Sequence, residues 1–255
     1  MGSELGNGVR VTPSTKIRFK CSGCGECCRH IKESVPASCQ DAFYLAKHLR
    51  DIGLDICCVD QFLSEFAEPA LLDECGFFVY FLKSVGKDDS CIFLKENRCT
   101  VQNAKPLACQ LYPFMVDPSE SGAFRYLYSR EREHHFQGPV VETRSWMKKN
   151  FSPESRAFMQ IDYANAGPIG RLLRNIPEEQ KTEALLHFYR LRYSEYDLDR
   201  PFLEQFQRNQ EKLLAILSRM AKKNISHQQH GTGQSSGAVS YYGGISHDKR
   251  RNDAS

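Results

Sequence analysis

Four cysteines fall within eight residues, at Cys21, Cys24, Cys27 and Cys28, in the pattern C-x2-C-x2-C-C. A C-x2-C turn is short enough for two thiolates to reach one inorganic centre, with the amides between them pointing at the sulfurs. Cys91, Cys99 and Cys109 follow singly, far downstream. A triplet from one loop completed by remote cysteines matches the run that holds iron–sulfur clusters. Structural zinc sites more often draw on two separate pairs. An iron–sulfur cluster, of the 4Fe–4S kind, is therefore the preferred cofactor, and zinc is the alternative that the same soft ligands suit. Gly23 and Gly25 fit a cluster loop, because bulky side chains there would hold the backbone amides away from bridging sulfides.

Cys27 and Cys28 are neighbours in sequence, and neighbouring side chains diverge in most backbone conformations. Cys28 is thus expected either to serve a second site or to pack beside the first. Seven cysteines are one short of the eight ligands that two four-coordinate sites need. His134 or His135 can supply the missing one, or the pair can be an exposed loop.

Lys16 to Lys20 alternates charged and apolar residues and leads into the loop as a short strand. Ser38 to Ile52 reads as an amphipathic helix, capped by Ser38 with Asp41 three residues on, and ended by Gly53. Ala42, Leu45, Ala46, Leu49 and Ile52 form its apolar face. A short helix is expected from Asp60 to before Pro69, and Gly76 to Leu82 reads as either a buried strand or a helix segment. Cys91 to Leu94 and Arg98 to Val101 read as a hairpin around Lys95-Glu96-Asn97. Asn103 to Leu111 reads as a helical turn with Pro106 near its start. Phe124 to Tyr128 and Pro139 to Val141 are candidate strands. Helices are expected after Ser152-Pro153-Glu154, over Ile176 to Tyr193, and over Arg200 to Lys223.

The expected fold class is α+β. It comprises a small Cys-rich metal-binding domain of short strands and helices over 16–150 and an α-helical extension over 151–225. A flexible terminus over 1–15 and a disordered Gly/Ser/Gln/His-rich tail over 226–255 flank them. The chain has 255 residues, 11 of them cysteine, with 34 basic against 31 acidic residues and a net charge of +3. That balance exerts no strong pull toward nucleic acid or an anionic membrane. No apolar run is long enough to span a bilayer, and Met1 to Lys20 lacks the pattern of a secretory signal. A cytoplasmic location follows as the expectation, and with it reduced thiols; an odd cysteine count precludes complete pairing in any case.

At this point the sequence resembles a family. Cys21 to Arg29 (CSGCGECCR), Cys91-Ile92-Phe93-Leu94, Cys99-Thr100-Val101, Lys105-Pro106-Leu107-Ala108-Cys109 and Tyr112-Pro113-Phe114 together look like the CxxCxxCC, or YkgJ-type, cysteine-cluster proteins. These are regarded as zinc- or iron-chelating domains. The resemblance spans Phe19 to Trp146. It implies that Cys21, Cys24, Cys27, Cys28, Cys91, Cys99 and Cys109 bind metal. Members usually carry a further cysteine after the Pro-Phe segment, where this chain reads Glu133-His134-His135-Phe136-Gln137-Gly138-Pro139. The same domain occurs in flagellin lysine N-methylases, so the resemblance also implies S-adenosylmethionine-dependent protein methylation as an alternative function. No G-x-G-x-x-G follows a strand here to support that cofactor. A protein partner or substrate is expected without being identified.

Cys39, Cys57, Cys58 and Cys75 stand outside these motifs and read as buried thiols. Arg29 and Lys20 flank the loop as candidate counter-charges. Phe77 to Phe81 reads as plain core rather than a cluster shield, and Trp146 as an anchor between the two halves. Glu131 and Glu133 read as surface charge, as do Lys148-Lys149 and Lys249-Arg250-Arg251.

Overall fold

The computed structural model describes residues 8–129 and 132–225. The expected tail, its basic patch Lys249-Arg250-Arg251 and Glu131 lie outside them. The fold is α+β, built from seven α-helices and short antiparallel strand pairs among the described residues.

β1 (Val9–Val11) pairs antiparallel with β10 (Phe124–Tyr128), which pairs with β9 (Phe114–Pro118). The chain is therefore already ordered at Val9, because the backbone of Val9 to Val11 completes a sheet edge. β2 (Lys16–Arg18) pairs with β11 (Val140–Glu142), as the alternating pattern of both segments requires. β3 (Ala67–Leu71) pairs with β4 (Phe78–Leu82), which resolves the ambiguous aromatic segment as a strand. β5 (Ser84–Val85) pairs with β6 (Ser90–Cys91), and β7 (Leu94–Lys95) with β8 (Arg98–Cys99). The expected hairpin is thus shorter than its sequence pattern. Cys91 belongs to the preceding strand pair, and Glu96 and Asn97, at φ 49° and 62°, make the turn alone.

Helix α1 (Cys39–Asp51) starts at a capping box: Ser38 Oγ accepts from the Asp41 amide, while the Asp41 carboxylate accepts from the Ser38 amide at 3.1 Å. Ala42, Leu45, Ala46 and Leu49 are buried as expected; Ile52 is 55% exposed, because the helix ends at Asp51 and Ile52 turns outward as its cap. α2 (Val59–Phe66) and α3 (Leu107–Leu111) follow, then α4 (Thr143–Asn150), α5 (Pro153–Arg174), α6 (Glu178–Tyr189) and α7 (Phe202–Ile225). Ser152 caps α5 and Pro153 occupies its first turn. A π-helical turn, Arg190–Ser194, continues α6.

One hydrophobic core joins the Cys-rich part to the helices. Phe43 of α1 lies 5.3 Å from Phe202 of α7, and Phe77 and Phe78 each lie 5.0 Å from Phe188 of α6. The aromatic run is therefore core. Leu213 and Leu217 of α7 are fully buried, as their spacing implied. Trp146 anchors α4 within the Cys-rich part: its indole N–H donates to the Leu111 carbonyl at 2.9 Å and its ring packs on Phe19. No helix among the described residues is long and apolar enough to cross a membrane.

Candidate metal centre

The site is assembled where the cysteine loop meets the segment that carries the histidine pair. The β2–β11 pairing continues past its strands, with the Phe19 amide donating to Pro139 O and the Lys20 amide to His135 O, both at 3.0 Å. The approach is close enough to require glycine at 138, since a Cβ there would stand 2.4 Å from Lys20 Cβ. This packing lays the 3₁₀ turn Glu133–Gln137 against the loop. Phe19 is the hub, in contact with Tyr112, His135, Phe136 and Trp146 at centroid distances of 5.7, 6.2, 6.4 and 5.4 Å.

The loop itself is shaped by Gly25 at φ 74°, followed by a 3₁₀ turn, Glu26–Cys28. A Cβ on Gly25 would also press on the Asn97 backbone at 3.2 Å. Arg29 ties the loop to the neighbouring hairpins, donating to Asn97 Oδ1 at 2.6 Å and pairing with Asp88 at 3.2 Å. Its charge is thus committed to carboxylate and amide partners.

Cys24 Sγ lies 3.3 Å from His134 Nε2 and 3.2 Å from His135 Nε2. These three donor atoms all fall within 4.8 Å of one another, the one such group among the described residues. Ligands of tetrahedral zinc at ordinary bond lengths stand about 3.5 Å apart, sulfur to nitrogen. Both sulfur–nitrogen distances are therefore within a few tenths of an ångström of what an ion requires. Adjacent histidines converge because a 3₁₀ turn separates neighbours by about 120°, which two long imidazoles can span. His135 is buried and its Nδ1 lies 2.9 Å from the Tyr112 hydroxyl; His134 is exposed. Burial opposes ionisation of Cys24, but hydrogen bonds from Ser22, His134, His135 and the Glu26 backbone outweigh it and bring the thiol down to about 6. The lowered value favours the thiolate at neutral pH, the form that binds metal.

The other six cysteines of the expected set, Cys21, Cys27, Cys28, Cys91, Cys99 and Cys109, line a broad adjoining cavity of about 1030 Å³. Cys24 instead lines a shallow recess with Glu26, Arg132, Glu133, His134 and Gln137. The C-x2-C-x2-C triplet is thereby divided, its middle member facing the histidines. The 3₁₀ turn also brings Cys27 and Cys28 together, with sulfurs 3.9 Å apart, instead of letting them diverge. Their shared hydrogen bond lowers the Cys27 pKa and raises that of Cys28. Burial pushes Cys91 up to about 11 and raises Cys99 and Cys109, and the charges of neighbouring thiols add to each. A cationic occupant would favour loss of the protons from Cys91, Cys99 and Cys109, which burial otherwise opposes.

Cys39 and Cys75 are buried, as expected. Cys57 is exposed and Cys58 half-exposed, contrary to the reading of both as buried thiols; they precede α2 at the surface, with sulfurs 3.7 Å apart. Tyr112 was visible in the sequence only as part of Tyr112-Pro113-Phe114, and no local signal tied it to a histidine 23 residues on. No family model, curated protein or solved structure matches this chain.

Proposed function

We propose that this chain is a metal-binding protein with two donor sets of different chemistry. Cys24, His134 and His135 form a mixed sulfur–nitrogen set suited to a borderline divalent ion such as zinc. The six-thiol cavity is suited to an iron–sulfur cluster. The observation that carries the reading is the convergence of Cys24 with both histidines at 3.2–3.3 Å, with the buried ring already oriented by Tyr112.

The cavity fits a cluster by its donors. Four thiolates of a cubane bind four different irons, so they stand farther apart than the ligands of one ion. Six thiols around one space, none in a group of three tight enough for a single ion, match that requirement. The resemblance to CxxCxxCC proteins supports metal binding by these cysteines and leaves zinc as the alternative to a cluster. A cluster supplies one-electron transfer when bound, whereas the protein supplies thiolates, a largely apolar enclosure and the raised thiol pKa values that couple loading to proton release.

Anaerobic purification with metal and sulfide analysis tests both parts. His135→Ala should lose the divalent ion and keep the brown colour, and Cys109→Ser should lose the colour. Colourless wild-type protein with zinc in the cavity would reverse the cofactor assignment there.

A further inference from the structure

We propose that the Cys24–His134–His135 centre is an open one, whose fourth position is held by solvent and accepts a small anion. The inference rests on the metal reading above and concerns what that metal can do. Three observations carry it. Among the described residues the group has three members, one fewer than a closed tetrahedral site needs; sites of this composition keep the fourth place for water or substrate. Two of its members, Cys24 and the exposed His134, also border a surface recess, with Arg132 between that recess and the thiol cavity.

The third observation is charge. One thiolate and two neutral imidazoles leave a divalent ion with a net charge of +1, which a monoanion neutralises. Two carboxylates border the recess and are the rivals for the position. Glu26 lies 3.8 Å from the Arg29 guanidinium. Glu133 adjoins His134 and stands outside the group of converging donors. An exchangeable position separates this centre from a structural zinc site, whose four protein ligands leave nothing to displace. The thiol cavity offers no such contrast, since it can be filled by protein ligands alone.

The test is cadmium-113 NMR of the full chain loaded with that ion, because the shift separates sulfur-rich sites from mixed sulfur–nitrogen ones. The resonance of this centre is identified by its loss in His134→Ala, a change at an exposed side chain. Addition of azide should shift that resonance and leave any thiolate-rich resonance in place. A His134-dependent resonance that ignores saturating azide, or that moves in Glu133→Gln or Glu26→Gln, means a closed site and overturns the proposal while the metal reading stands. Absence of any His134-dependent resonance overturns both.

Discussion

The Tyr112 hydroxyl sits 2.9 Å from His135 Nδ1, on the side of the ring opposite the nitrogen that faces Cys24. A hydroxyl both donates and accepts, so this contact serves both states of the centre. Without metal, His135 can donate from Nε2 to the Cys24 thiolate and accept from Tyr112 at Nδ1. With metal at Nε2 the proton sits on Nδ1, and the ring donates to Tyr112. Partners of this kind fix ring orientation and typically contribute about 10- to 100-fold in metal affinity. Tyr112→Phe should therefore weaken divalent-ion binding by about that factor, read by chelator competition, with the fold intact. Unchanged affinity would mean that Phe19 packing alone positions the ring.

Gly25 and Gly23 offer a paired test of the loop. Both have positive φ, at 74° and 67°, but a Cβ at 25 meets the Asn97 backbone whereas one at 23 meets nothing within 4 Å. Gly23→Ala should cost only the left-handed penalty, about 1–2 kcal/mol. Gly25→Ala should cost more and should also reduce metal retention, since it displaces the turn bearing Cys27 and Cys28. Denaturant titration of both variants decides it, and equal losses would contradict the close-approach argument.

Asp41 links the start of α1 to the Cys109 helix. Its carboxylate accepts from Ser38 and, at 2.7 Å, from the Leu107 amide. Burial nevertheless outweighs these bonds and raises its pKa from 3.8 to about 6. The folded chain then binds more protons than the unfolded one between those values. The contribution to stability is fully present below the unfolded pKa and declines as pH rises through the folded one. Asp41→Asn does not titrate. Its cost relative to wild type should shrink by up to about 3 kcal/mol between about pH 4 and pH 7. Parallel stability curves for the metal-free proteins would refute the shift.

The cysteines divide by location. Cys57→Ser should leave metal content intact, because that thiol lies at the surface before α2. Cys91→Ser or Cys109→Ser should deplete the cavity's metal. Equal loss from Cys57→Ser would show the division to be wrong.

Much of this arrangement is readable from residues near in sequence. The Ser38–Asp41 box, the Pro153 start and the apolar stripe of α7 are local signals, and the structure follows them. The cysteine spacing likewise identifies the residues of interest. It does not say which way each thiol faces: that depends on Gly25 turning the backbone, and Cys24 consequently leaves its two loop neighbours for the histidines. The histidine role rests on contacts more than 100 residues apart, between Phe19-Lys20 and His135-Pro139, which no local pattern encodes. Cys57 and Cys58 are accessible despite apolar neighbours, which do not guarantee burial at a helix start.

The account stands on Cys24, His134 and His135 closing on one ion. X-ray absorption at the zinc edge of the metal-loaded full chain tests this directly, because imidazole ligands leave a distinctive outer-shell signal. Wild type should show that signal beside sulfur, and the His134→Ala/His135→Ala double variant should lose it. A wild-type spectrum with sulfur alone, or with no bound ion, would contradict the account.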